Sequence, residues 1–364
     1  MNLRIPGPTP CPESVLKAMS KQMINHRGRE FKGMMEKTCH RLKSFFQTKG
    51  DVFILTCSGT GAMETAIVNT LSPGDHVLAC TCGAFGDRFA AIATAFGTKV
   101  QKLEFEWGKP VEPEAVKKAL QADPDIKVVL LTHNETSTGV TNDVKAIAAV
   151  VKSAGKLIVV DSISGIPALD LQTDNWGLDV VVAGSQKGFM TPPGLAMISF
   201  GPAAWEANNQ ARIPRFNWDI AKYKSFIATW ETPWTPAVTG IYALNAAMDV
   251  LEKEGLQNVF ARHARMAKLT REGVVSLGLE LLVTDSKYAS NAITAVKATN
   301  GLDPKKLLKV LEDEYDTVLA GGQGKLDGKL FRIGHVGWVH EKDIEDAISV
   351  LKLALPKAGL IGKA

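Results

Sequence analysis

Apolar positions recur at helical spacing between Gly28 and Gln47, where Phe31, Met34, Met35, Leu42, Phe45 and Phe46 share one face. From residue 51 the pattern changes. Short apolar runs, VFILTC (52–57), HVLAC (76–80), KVVLLTH (127–133), KLIVVD (156–161) and DVVVAG (179–184), alternate with amphipathic stretches predicted as helices over 61–71, 87–96 and 142–153. Strands apolar on both faces and separated by helices are what a mostly parallel sheet, buried between two helical layers, requires. The pattern therefore predicts a doubly wound α/β domain. After AMISF (196–200) it breaks into a stretch carrying Trp205, Phe216, Trp218, Tyr223, Phe226, Trp230 and Trp234, predicted as a loop packed by its own aromatics. Helices follow over 237–254 and 256–277. The tail then reads strand, helix, strand, helix (293–299, 304–315, 330–334, 341–355), a smaller α/β unit. The expected division is an N-terminal segment (1–20), a large domain (21–250) and a small C-terminal domain (251–364).

At 364 residues the chain exceeds one ordinary hydrophobic core, which agrees with that division. Its 42 basic and 38 acidic residues are interleaved, so the net charge of +4 forms no concentrated field for nucleic acid. No apolar run reaches the roughly 18 residues of a membrane span, and MNLRIPGPTP lacks the apolar core of a signal peptide. A cytoplasmic protein is the expectation. The five cysteines stop at residue 82; Cys80 and Cys82 form a C-x-C with no second pair at zinc-site spacing. They read as small buried thiols, and no metal is expected.

In a doubly wound sheet, ligands bind beyond the carboxyl ends of the strands. The first end runs into Ser58-Gly59-Thr60-Gly61, where glycines admit close approach and a helix start offers unpaired N–H groups. It is either an anion cradle or a plain strand-to-helix turn. Asp161 ends a four-residue apolar strand; such a carboxylate either caps a turn or meets a cation or several donors. Lys187 follows DVVVAG after Ser185 and Gln186, 26 residues after Asp161, and a partly desolvated amine there can form a Schiff base. Cradle, acid and amine in this order supply what pyridoxal phosphate needs: an anion site, a carboxylate for the ring nitrogen and an amine for the aldehyde.

At this point the chain resembles the class V aminotransferases of fold type I, in particular the alanine–glyoxylate, serine–glyoxylate and serine–pyruvate group. The resemblance spans nearly the whole sequence: PGPTP (6–10), HRGREF (26–31), SGTGAMETAIVN (58–69), GAFGDR (83–88), HNETSTG (133–139), VDSISG (160–165), GSQKG (184–188), TPWTPA (232–237) and FRIGHVG (331–337). It implies pyridoxal 5'-phosphate as cofactor and Lys187 as the amine that bonds its aldehyde and later moves the proton. It implies Asp161 at the ring nitrogen, Phe85 stacked on one ring face and Ile163 on the other. Ser58, Gly59 and Thr60 would receive the phosphate, with Gln186 and Thr136 near the phosphate and ring hydroxyl. Thr235 would reach the phosphate from the neighbouring subunit of a homodimer. Arg332 would bind the substrate α-carboxylate. Separately, aromatics and the opening Gly7-Pro8 segment are expected to narrow the substrate pocket by packing. Thr232 stands where some relatives have Tyr, so its role is open. His133 and Glu135 read as structural.

The implied reaction moves an amino group from alanine or serine to glyoxylate or pyruvate. The alternative within the superfamily is 2-aminoethylphosphonate–pyruvate aminotransferase. A cysteine desulfurase would need a loop cysteine in the C-terminal part, and no Cys follows residue 82. A nucleotide-dependent oxidoreductase would need a G-x-G-x-x-G fingerprint after the first strand, which is missing.

Overall fold

The computed structural model describes residues 1–360, so the last four residues of the C-terminal domain expected at 251–364 lie outside the described residues. Seven strands build the large sheet: β1 (Asp51–Leu55), β2 (His76–Thr81), β3 (Lys99–Glu104), β4 (Ile126–Thr132), β5 (Leu157–Asp161), β6 (Val180–Gly184) and β7 (Ala196–Phe200). Their spatial order is β1-β7-β6-β5-β4-β2-β3. Only β7 runs antiparallel, between β1 and β6; β6, β5, β4, β2 and β3 pair in parallel.

Successive strand residues enter opposite cores, as the pleat demands. Ile54, Leu78, Val129, Leu131, Val160 and Val181 pack with the helices Arg29–Phe46, Pro113–Ala122, Val144–Ser153 and Val238–Glu254. Phe53, Leu55, Val77, Val128, Leu130, Val159 and Val182 pack on the other side with Gly59–Thr70 and Ala84–Ala95. This double burial is why the runs are continuously apolar. Strand β3, KVQKLE, closes one edge half in solvent and therefore lacks that signature.

The aromatic stretch expected as a loop after residue 200 instead folds into two short helices, Pro202–Gln210 and Ile220–Ile227. Pro at the first turn starts one, and Asp219 caps the other by accepting the Ala221 N–H. Trp205 and Tyr223 then meet Phe53 edge-on, so the aromatics pack onto the sheet rather than only on one another. Beyond the helix Leu256–Ser276, strands β8 (Ile293–Lys297), β9 (Ala320–Gly321) and β10 (Leu330–Gly334) form an antiparallel sheet in the order β8-β10-β9. Helices Pro304–Tyr315 and Glu341–Ala354 cover it over a separate core that includes Leu307, Leu311, Phe331 and Leu351.

The first residues tie the two sheets together. Asn2–Leu3 pairs with Thr317–Val318, and the Gly334 N–H donates to the Arg4 carbonyl. A Cβ at Gly334 would lie 2.1 Å from the Ile5 carbonyl oxygen, so only glycine lets the chain pass there. Cys39, Cys80 and Cys82 are buried and unbridged, and burial holds the Cys39 and Cys82 thiols up at about 12. No helix among the described residues is long and apolar enough to cross a membrane.

Candidate active site

Every parallel strand of the large sheet ends on the same rim, and Ser58, Phe85, Asp161 and Lys187 lie there because of it. Ser58 follows β1 and precedes the helix Gly59–Thr70; its side chain makes no cap bond to that helix. A Cβ at Gly59 would sit 2.6 Å from Ile163 Cδ1, and one at Gly184 would sit 2.9 Å from Ile163 Cγ2. The two glycines let Ile163 pack closely against the Ser58–Gly61 turn and the end of β6.

Asp161 is the last residue of β5, between β4 and β6. It is 4% exposed, and its Oδ1 accepts the Ile163 N–H at 2.9 Å. Burial chiefly pushes its carboxyl up to about 7, opposed by that hydrogen bond, with the Glu135 charge adding to the rise. Lys187 reaches back under the N-terminal segment, where Nζ donates to the Pro6 carbonyl at 2.8 Å. Its ammonium is lowered to about 8, first by burial and then by the Arg332 charge, against the pull of Asp161. Gly7 has φ +136°, and a Cβ on it would lie 2.6 Å from Lys187 Cδ and 2.7 Å from Nζ. Residues 6–7 are thus one wall of the lysine's space.

Arg332 comes from the small sheet, on β10, and is 4% exposed. Nε donates to the Gly321 carbonyl (2.8 Å), while Nη1 donates to the Thr136 carbonyl (2.9 Å) and to Gln323 Oε1 (3.3 Å). Nη2 has no hydrogen-bond partner among the described residues. Burial lowers the guanidinium to about 10, against the Glu135 charge. Arg332, Lys187 and Asp161 sense one another or shared neighbours electrostatically, so charged groups from two sheets converge on one rim.

Phe85 opens the helix Ala84–Ala95 after β2, and the Arg88 guanidinium lies 4.7 Å over its ring. Arg88 Nη1 also lies 3.5 Å from Thr60 Oγ, and its charge acts on both Asp161 and Lys187. Sequence reasoning missed Arg88, although its i+3 spacing from Phe85 in GAFGDR puts the two on one helical face. It also missed the carbonyl roles of Pro6 and Thr136, which no side-chain pattern announces. Gln186 Oε1 is buried with no hydrogen-bond partner among the described residues.

Thr235 is exposed and does not join this cluster. It lines a hollow of about 180 Å³ with Thr56, Thr232 and Trp234, and the Ala237 N–H donates to Thr56 Oγ at 3.0 Å. Thr232 is buried and spends its hydroxyl on the Trp234 carbonyl, 2.7 Å away. His133 lies behind Asp161, its Nδ1 3.0 Å from Ser162 Oγ, and burial holds it near 4, therefore neutral.

A doubly wound sheet with a partly buried amine and a buried acid on its carboxyl rim, completed by an arginine from a second sheet, defines a fold type I transferase. The aminotransferase class V family model matches residues 1–325, and the chain belongs to that family. Over 98% of its length it is 44% identical to the soluble hydrogenase 42 kDa subunit of Anabaena cylindrica, covering 94% of that protein. It is 39% identical to the L-aspartate–glyoxylate aminotransferase of Paracoccus denitrificans (98% of this chain, 91% of that one) and 36% identical to the serine–glyoxylate aminotransferase of Methylorubrum extorquens (99% and 92%). Among solved structures, the alanine–glyoxylate aminotransferase of Nostoc sp. superposes with a TM-score of 0.93 at 28% identity, covering 97% of this chain and 94% of that one. Cysteine desulfurases share the fold alone, at 15% identity and a TM-score of 0.77.

Proposed function

We propose that this aminotransferase uses pyridoxal 5'-phosphate to move an amino group from a small amino acid, alanine or serine, to glyoxylate or pyruvate. The observation that carries the reading is Lys187: a partly buried amine lowered to about 8, held at the sheet rim within the field of a buried acid. The residues present fit the cofactor. Asp161 has an oxygen that accepts no hydrogen bond among the described residues, Gln186 Oε1 lacks a partner, and Gly59 and Gly184 leave Ile163 a flat floor. Ser58, Gly59 and Thr60 would hold the phosphate, Asp161 the ring nitrogen, and Phe85 and Ile163 the two ring faces, with Gln186 and Thr136 at the edge.

When bound, the cofactor supplies an aldehyde for amine exchange and an electron sink for the substrate's Cα. The protein's own residues do the rest. Near pH 8 about half of the Lys187 amines are neutral, so the side chain can attack a carbonyl and afterwards take and return the Cα proton. The Asp161 carboxylate keeps a facing nitrogen protonated, and that cation in turn offsets the cost of ionising Asp161 in a dry site. Arg332 orients the α-carboxylate by charge-assisted bonds. Gly7 and Pro6 narrow the space beside Lys187, which favours a short side chain.

Thr235, exposed on its own subunit, supports a homodimer in which it reaches the partner's phosphate. The contact of Pro6 with Lys187 supports reading residues 1–20 as part of the active site, ahead of a large domain to about residue 250 and a small one beyond it. The protein is read as cytoplasmic. The decisive experiment has two parts. The purified protein should show a visible band that borohydride bleaches while fixing the cofactor covalently to the chain, a fixation lost in Lys187→Ala while the cofactor still binds. A matrix of donors (alanine, serine, aspartate, 2-aminoethylphosphonate) against acceptors (glyoxylate, pyruvate) should give its highest rates with the first two donors and glyoxylate. Covalent fixation of the cofactor to the chain by borohydride that survives in K187A would overturn the assignment of the lysine, and turnover of the phosphonate without glyoxylate activity would overturn the substrate class.

A further inference from the structure

The helix that presents Phe85 has no cap of its own. Its N-cap is Gly83, which has no side chain, and the first N–H groups of such a helix need outside acceptors. They find them on the turn after β4. Glu135 Oε2 accepts from both the Phe85 and the Gly86 N–H at 3.0 Å, and Ser137 Oγ accepts the Ala84 N–H at 2.9 Å. The other carboxylate oxygen accepts the Ser137 hydroxyl (2.6 Å) and the Ser137 N–H (3.1 Å). Glu135 is fully buried, and each of its oxygens carries two donors. Gly83 is what admits it: a Cβ there would lie 2.3 Å from Glu135 Cγ and 2.4 Å from Cδ.

The residue between Glu135 and Ser137 is Thr136, whose carbonyl holds Arg332 Nη1. One carboxylate therefore stands between two parts of the cleft that lie far apart in sequence. Building on the function proposed above, we infer that Glu135 is a positioning residue, a clamp that locks Phe85 and the Arg332 anchor at Thr136 into one rigid unit. A ring-stacking face and a carboxylate-binding arginine must keep a fixed separation if a substrate's Cα is to lie over the ring, and a 1 Å error at such a distance is costly. Glu135 touches neither partner of the reaction. It acts through the Phe85 N–H and the Thr136 backbone.

The test uses the holoenzyme in three variants. Glu135→Gln keeps the shape but turns an amide N–H₂ toward groups that are themselves donors. Ser137→Ala removes one link of the clamp and keeps the charge. Leu42→Ala, in the core under the helix Arg29–Phe46, is a remote destabilising control. Two dissociation constants are measured: pyridoxal 5'-phosphate by tryptophan quenching on the cofactor-free protein, and 2-methylalanine, which has no Cα proton to lose, by its shift of the visible band. The expected result is that E135Q weakens 2-methylalanine at least tenfold and the cofactor several-fold, that S137A moves both in the same direction by less, and that L42A lowers the melting temperature without moving either. Both constants within twofold of wild type in S137A and in any folded E135Q would overturn the clamp. Should E135Q not fold, S137A decides alone. A wild-type protein without the borohydride-sensitive band would instead refute the cofactor reading, and the clamp with it.

Discussion

Asp161→Asn removes a charge that the fold holds at a cost in the absence of a partner. The carboxyl is 4% exposed, and burial moves it from 3.8 to about 7 while the Ile163 N–H pulls the other way. A shift of about three units at about 1.4 kcal/mol each sets an upper bound near 4 kcal/mol, and local relaxation brings the expectation to about 2–4 kcal/mol. The sign follows from proton counting. Below about pH 4 both folded and unfolded chains are protonated at this site. Between 4 and 7 the unfolded chain has lost the proton and the folded one retains it, so the folded state binds more protons and stability falls as pH rises. The amide does not titrate. Cofactor-free wild type and D161N should therefore be equally stable near pH 4, and D161N should lead by about 2–4 kcal/mol at pH 8. Urea unfolding reads this as a displaced midpoint at constant slope. The difference between the two proteins isolates Asp161 from the buried histidines His133, His263 and His335, whose lowered pKa values act alike in both. With cofactor present the order should reverse, because the amide cannot pair with a protonated ring nitrogen. A lead that is the same at pH 4 and pH 8 would refute the claim that burial governs this carboxyl.

Arg332→Ala should raise the KM for the amino acid by a factor corresponding to about 2–5 kcal/mol with a smaller effect on the cofactor; an unchanged KM would remove it from carboxylate binding. Gly7→Ala places a Cβ 2.6 Å from Lys187 Cδ at φ +136°, where side chains are strained, so it should push the lysine aside and depress the borohydride-sensitive band, read by absorbance. Asn142→Ala strips the acceptor from the buried Val111 N–H and the donor from the Thr132 carbonyl. Two buried backbone groups stripped of these partners should lower stability by about 2–6 kcal/mol, measured by urea unfolding, since each costs about 1–3 kcal/mol.

Hydrophobic patterning made the large sheet legible because its strands are buried on both faces, and a run such as KLIVVD has no other stable place in water. The position of Asp161 and Lys187 at strand ends followed from the same pattern, since in a parallel sheet all such ends gather on one rim. The edge strand Lys99–Glu104 escaped because half of it faces solvent, and the helices at Pro202–Gln210 and Ile220–Ile227 escaped because their aromatics are arranged for contact with Phe53 rather than for helical periodicity. What local sequence could not convey was anything made by backbone meeting side chain across long separations: the Pro6 carbonyl on Lys187, the Thr136 carbonyl on Arg332, and Glu135 filling the space a Cβ at Gly83 would need. A carbonyl is the same group in every residue and leaves no mark on composition or period. Periodicity records which side of an element faces the core, whereas the meeting of residues 6 and 187, or 136 and 332, is decided only when the two sheets dock and the chain's first residues are laid between them.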